Sequence, residues 1–352
     1  MSGSGMRKMQ ALGTEFWNDS CELTELRGAV EQGAVGATSN PVIVYNVIKA
    51  DQKNMIPALD RLIGENSHGS EDELAWKLIE SLAVQAAGVL EAVYKQSSGQ
   101  RGYLSVQVNP GFYRSAEQMI AHGKGLAALA PNIGIKAPCT QAGIHALEEL
   151  TASGIRVNAT VSFSVSQAIA AAEAVERGLK KAIVQGIDVS KIRPNITVMV
   201  GRLDDHLQRV MAKNPVMIDP GYLHWAGVAV VKKAYDVFMK RDYRSTLLVA
   251  AYRHHLHWSQ LIGERVAQTI PYSWWKQFND SAIPVEKTIR DPVDPRIIDA
   301  LLRGFPDFRK AYEEDGLSPG QFDSYGPSVH TLNQFVNGYH DLLGLVRERR
   351  FS

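Results

Sequence analysis

Short apolar or β-branched runs recur along the chain, and each is followed by a longer segment whose apolar residues return every three or four positions among polar ones. The runs predict eight strands, at 15–19, 34–37, 103–107, 133–136, 155–160, 196–200, 246–250 and 266–270. The longer segments predict helices at 116–129, 142–153, 166–185, 225–240 and 257–263, with an additional long helix at 72–94 before the third strand. Strands that alternate with helices pair in parallel through right-handed crossovers. An eightfold alternation closes into a (β/α)8 barrel, whereas an open doubly wound sheet usually stops at about five to seven strands. After Ser281 the chain turns rich in Pro, Asp and Arg (Ile289-Arg-Asp-Pro-Val-Asp-Pro-Arg296) and then reads as short helices through Arg350. Residues 1–352 are therefore expected to form one barrel domain, with the barrel at about 14–280 and a C-terminal helical cap at about 281–350.

Composition narrows the partners more than the fold. With 45% apolar and 21% charged residues, the chain is a globular protein with a large core, neither disordered nor collagen-like. Its 38 Lys and Arg against 37 Asp and Glu leave a net charge of +1. There is no global field to gather nucleic acid or acidic membranes, so neither is expected as a partner. Any anionic ligand must be held by a few local groups. Cys21 and Cys139 make no disulfide framework and no CxxC pair for zinc, which suits a reduced, cytoplasmic setting. No apolar h-region follows the basic residues near the N-terminus, and no stretch has the roughly 18 apolar residues that span a bilayer.

In a barrel of this kind, chemistry gathers at the C-terminal ends of the strands. The polar residues there are Asp19, Asn40, Gln107, Lys136, Asn158 with Thr160, Arg202 past the sixth strand and Arg253 past the seventh. Lys136 stands out because Ile133, Ile135 and Ala137 surround it. An amine that loses hydration in this way favours its neutral, nucleophilic form and suits Schiff-base chemistry with a carbonyl. The plain alternative is a lysine that snorkels from the rim.

Several motifs in register are more specific than any one residue. Gly36-Ala-Thr-Ser-Asn-Pro41, Gly134-Ile-Lys-Ala-Pro-Cys-Thr140, Val157-Asn-Ala-Thr160 followed by Phe163-Ser-Val-Ser-Gln-Ala-Ile-Ala170, Met199-Val-Gly-Arg202 and Ala250-Ala-Tyr-Arg253 together resemble the transaldolase family over roughly residues 16–270. The resemblance implies that Lys136 forms an imine with a ketose phosphate and retains a dihydroxyacetone unit. It makes Asp19 the acid and base of carbon–carbon cleavage. It makes Asn40 and Asn158, together with Thr38, the binders of the retained fragment, and Arg202 and Arg253 the grip on the terminal phosphate. The implied partners are small sugar phosphates, without a cofactor and without a metal. An oligomer interface is not legible, and a homo-oligomer is compatible with everything above.

Two positions depart from the family pattern. Gln107 stands where transaldolases carry a glutamate that works through a bound water; a carboxamide can orient that water but not exchange a proton, leaving Thr160 as its second anchor. Met199 stands where transaldolases usually carry phenylalanine and fructose-6-phosphate aldolases carry tyrosine. The expected activity is dihydroxyacetone transfer in the pentose phosphate pathway, from fructose 6-phosphate or sedoheptulose 7-phosphate to an aldose phosphate. The alternatives are a fructose-6-phosphate aldolase-like lyase and a non-catalytic barrel that binds sugar phosphate.

Three other signals are read as structural. The His-rich run Arg253-His-His-Leu-His257 and Asp204-Asp-His206 lack the carboxylate triad or HExxH spacing of a metal site. Cys139 is expected to pack among small residues, and Trp274, Trp275 and Phe278 to pack in the core or tail.

Overall fold

Eight short parallel strands pair in chain order and close on themselves: β1 (Glu15–Asn18), β2 (Gly36–Thr38), β3 (Tyr103–Gln107), β4 (Ile133–Pro138), β5 (Val157–Thr160), β6 (Asn195–Met199), β7 (Thr246–Ala250) and β8 (Val266–Ile270). The protein is described from a computed structural model, in which residues 4–352 are placed. This is the (β/α)8 barrel that the alternation predicts. Residues opposite each other across a parallel ladder share a face, and side chains alternate along a strand. The register sets Gln107 beside Lys136 and Lys136 beside Asn158, so three polar side chains from β3, β4 and β5 form one row. Ile135, one position away, meets the helix Ala116–Ala127 on the outside. The row thus faces the barrel interior.

The second strand starts two residues later than the pattern predicts, because Ala34 still belongs to the turn that ends the helix Leu23–Glu31 and donates its N–H to Ala29 O. Gly36 opens the strand for a steric reason. A Cβ there would lie 2.5 Å from the Trp17 indole, which occupies the interior.

Three helices, not one, fill the excursion between β2 and β3: Pro41–Ala50, Gln52–Glu65 and Glu71–Gln96. Only the third is legible from periodicity. Val42, Ile43 and Val44 favour a strand by propensity, yet Pro41 in the first turn and the Asn40 side chain, which accepts the Ile43 N–H at 3.0 Å, start a helix. The helix expected at 257–263 is a single turn, Leu256–Ser259.

The tail differs most from expectation. Beyond Tyr272–Asp280, which follows β8, it holds Pro295–Gly304 and Pro306–Tyr312 as short helices, but its last helix, Gly326–Arg350, is 25 residues long. It packs on Pro41–Ala50, Glu71–Gln96 and Val200–Lys213, and so lies over the C-terminal mouth of the barrel. Arg347 pairs with Glu71 at 2.6 and 2.8 Å and Arg349 with Asp60 at 2.7 and 2.8 Å, while Tyr339 bonds Asp72. Gly338 lets the backbones approach, since a Cβ there would lie 2.5 Å from Val42 Cγ2. Among the described residues, no helix is long and apolar enough to cross a membrane.

Candidate active site

A cavity of about 500 Å³ opens at the C-terminal ends of the strands, lined by Asp19, Asn40, Lys136, Thr160, Arg202 and Arg253 among others. A wider depression of about 1010 Å³ lies on the outer wall between Arg114 and Asp323, but none of its ionisable side chains is buried. Chemistry that depends on shifted protonation therefore points to the mouth.

Lys136 is only 5% exposed. Burial pushes its ammonium below the ordinary lysine value, and the Asp19 carboxylate opposes that shift in part. Asp19 follows the end of β1 and lines the cavity; burial raises its carboxyl, while Lys136, the Thr38 hydroxyl and Arg202 pull it down. Thr38 Oγ1 donates to Asp19 Oδ1 at 2.6 Å and lies 2.7 Å from Thr269 Oγ1. A hydroxyl has one proton, so Thr269 donates to Thr38 and Thr38 to Asp19. One carboxylate oxygen is held fixed by this relay.

Asn40 has its Oδ1 committed to capping the helix Pro41–Ala50, which leaves its Nδ2 as a donor on the cavity wall. Thr160 also lines the cavity, and its hydroxyl donates to the Met199 thioether at 3.9 Å, a long and weak bond. Three candidates lie behind the wall instead. Thr38 is fully buried under Asp19. Asn158 is tied at both ends of its amide, donating to Ser105 Oγ at 3.2 Å and accepting from Thr197 Oγ1 at 2.7 Å. Gln107 is 3% exposed, and its buried Oε1 has no hydrogen-bond partner in the protein.

The two arginines are not equivalent. Arg202, half-buried on the helix Val200–Lys213, donates Nη1 to Gln334 Oε1 of the last helix, and its buried Nε has no partner. Burial and the like charge of Arg253 lower its pKa from the ordinary arginine value. Arg253 is more exposed, and its Nε and Nη2 already bond Asp205 at 3.1 and 3.0 Å. A fork engaged with a carboxylate is held in place but must share that carboxylate's position with an incoming anion.

The His and Asp residues near this rim form separate pairs. His257 bonds Asp204 at 2.7 Å and His206 bonds Asp307 at 2.8 Å. Among the described residues, no three His, Cys, Asp or Glu side chains gather as a metal would need. The Cys139 thiol is fully buried and pushed up to about 12, which makes it unreactive. Trp275 packs edge-on against Phe16 and donates to Asn18 Oδ1, whereas Trp274 lines the cavity.

The last helix supplies residues that the strand-end reading misses: Gln334, Asn337 and Asp341 all reach the cavity. Their i, i+3, i+7 spacing marks one polar helical face, the single signal in the sequence that could have found them.

Comparison with known proteins identifies the family. The family model described as Transaldolase/Fructose-6-phosphate aldolase matches residues 16–314. A transaldolase of Neisseria meningitidis is 28% identical over 298 residues, covering 77% of this chain and 82% of that protein. A transaldolase of Thiobacillus denitrificans is 27% identical over 311 residues, covering 79% and 85%. With a matching family model over most of its length, the chain belongs to the transaldolase/fructose-6-phosphate aldolase family.

Proposed function

We propose that the chain is a class I transferase, which moves a dihydroxyacetone unit from fructose 6-phosphate or sedoheptulose 7-phosphate to an aldose phosphate. The observation that carries this reading is the buried Lys136 amine, depressed toward its neutral form and sharing one cavity with Asp19. The Lys136 Nζ attacks the C2 carbonyl, and loss of water leaves an iminium. Asp19 then takes the C4 hydroxyl proton. The C3–C4 bond breaks as C4 becomes an aldehyde, and its electron pair moves into the iminium to give an enamine. The aldehyde departs, a second one enters, and the same steps run in reverse until water frees the ketose from Lys136.

The other residues hold this sequence together. Asn40 Nδ2 donates to the retained fragment, while Thr160 with Gln107 orients water for iminium formation and hydrolysis. Asn158 supports the row that carries Lys136, and Thr38 orients Asp19. Arg202 and Arg253 hold the phosphate, and no cofactor enters the chemistry.

One observation favours a second reading, simple cleavage. Gln107 at the strand-three position is the residue that the fructose-6-phosphate aldolases carry there, where transaldolases carry glutamate, and a carboxamide orients water without exchanging a proton. Borohydride in the presence of fructose 6-phosphate should label Lys136, and Lys136→Arg should abolish the label. Glyceraldehyde 3-phosphate should be released only when erythrose 4-phosphate is present. Release at a comparable rate without acceptor would assign the lyase instead, and binding with no trapped imine at any pH would leave only a sugar-phosphate-binding barrel.

A further inference from the structure

We propose that the buried Asp204–His257 pair is a positioning device, which fixes Arg253 relative to Arg202 and so sets the affinity for phosphorylated over free sugars. The inference rests on reading the two arginines as phosphate ligands. Both side chains of the pair are completely buried, with His257 Nε2 and Asp204 Oδ2 at 2.7 Å. His257 Nδ1 accepts the Arg253 backbone N–H at 3.1 Å, so the ring proton sits on Nε2 and is donated to Asp204. Asp204 Oδ1 accepts the Gly227 N–H at 3.1 Å.

This chain of bonds joins three segments. Asp204 lies two residues after Arg202 on the helix Val200–Lys213, His257 lies four residues after Arg253, and Gly227 is the second residue of the helix Ala226–Arg241. A second tie joins the first two: Gly201 N–H donates to Ala251 O at 3.0 Å, and a Cβ at Gly201 would lie 2.2 Å from that oxygen. Ala251 has a φ of +66°, a left-handed conformation that a non-glycine residue keeps only when its surroundings hold it there. The loop that carries Arg253 therefore needs external fixing, and the pair delivers it at the arginine's own N–H. Asp205, the next residue, holds the same arginine by its side chain.

Stability alone is a poor reason for such an arrangement. Apolar residues of equal volume usually fill a buried site at least as favourably as an ion-pairing couple. What an apolar pair could not supply is a directional bond to one particular backbone N–H.

Two substitutions separate the two bonds of the imidazole. His257→Gln can still donate to Asp204 but offers no acceptor at the Nδ1 position; His257→Asn keeps that acceptor and gives up Asp204. Losing one hydrogen bond that orients Arg253 should raise KM for fructose 6-phosphate about tenfold in His257→Gln. The expected kcat, and the concentration of unphosphorylated dihydroxyacetone that half-saturates borohydride trapping, stay near wild type. His257→Asn should keep KM near wild type even though its melting temperature falls. Equal KM shifts in the two variants, or equal losses with phosphorylated and free donors, would reduce the pair to a structural role and overturn the proposal. If His257→Gln does not fold, Asp204→Asn serves instead: its amide N–H faces Nε2, the ring proton moves to Nδ1, and the acceptor for the Arg253 N–H is lost, so it must show the same phosphate-selective rise in KM or the proposal fails. Arg253→Ala is measured alongside: no rise in KM there would overturn the phosphate reading and this inference together, whereas a rise there without one in His257→Gln overturns the positioning role alone.

Discussion

Two buried cations lie inside the same barrel wall, and only one is placed for chemistry. Lys136 at the mouth is 5% exposed; Arg156, just before β5 at the opposite end, is 7% exposed. Their surroundings differ in kind. Arg156 donates to Gln100 O at 2.9 Å and Asn195 Oδ1 at 3.1 Å, and its guanidinium lies 4.4 Å from the Tyr103 ring centre and 5.5 Å from that of Trp17. Burial pushes it down only to about 10, so it stays charged at neutral pH. The Lys136 amine has no hydrogen bond to any of the described residues and starts from a lower ordinary pKa, so burial moves it toward a free amine. Burial by itself does not mark a nucleophile; burial without acceptors does.

The sharpest way to break this contrast is to place a guanidinium at the mouth. Lys136→Arg keeps a cation there but removes the nucleophile, and transfer should fall by on the order of 10³-fold or more, with no borohydride label. Residual labelling at another lysine would show that the wrong amine had been singled out.

Asp19→Asn comes next. It removes the group that moves the proton, which typically costs about 10²–10⁴-fold in turnover. Imine trapping should survive, and its pH dependence carries a sign. The trapping rate follows the neutral amine, so it rises with pH and levels off below the ordinary lysine value of 10.5. The Asp19 carboxylate favours the ammonium and opposes the depression. Without it, the midpoint of the trapping profile should move further down in pH; an unchanged or raised midpoint would contradict the coupling between the two groups.

At the other end of the barrel the same logic predicts a stability effect with no catalytic one. Arg156→Met strands the buried Asn195 Oδ1 and gives up the bond to Gln100 O and the aromatic contacts, at a cost of about 2 kcal/mol in a denaturant titration. Turnover per folded molecule should not change. A loss of turnover at full occupancy of the folded state would make Arg156 part of the site and undo the comparison.

The same contrast explains how far the sequence could be read. Strand number, barrel closure and the residues at the strand ends follow from local pattern, because one face of each strand is apolar and the polar exceptions stand out, Lys136 most of all. Val42, Ile43 and Val44 carry a β-branched signal, yet they lie in a helix that the Asn40 cap starts and that packs against Gly338, almost 300 positions away. The partners of the candidate residues are equally remote. That Asp205 engages Arg253, that Thr38 and Asn158 sit behind the cavity wall, and that Gln334 reaches Arg202 all depend on how separate elements dock. Residue types announce chemistry, whereas the choice between free and engaged groups is made by packing.

Arg202 lies between the two extremes, a guanidinium like Arg156 but on the cavity like Lys136. Gln334 accepts from its Nη1 without cancelling its charge, and the buried Nε remains unpartnered. The carboxamide therefore sets the direction of the fork while leaving the donors and the charge for an anion. Gln334→Ala should raise KM for fructose 6-phosphate about fivefold, the worth of roughly one orienting hydrogen bond, and should leave kcat and thermal stability close to wild type. Since Arg347 and Arg349 anchor the same helix at its far end, its placement over the mouth does not hinge on Gln334. A KM that falls would mean that Gln334 competes with the substrate for Arg202, as Asp205 must for Arg253, and the last helix would then restrain phosphate binding at the mouth and not assist it.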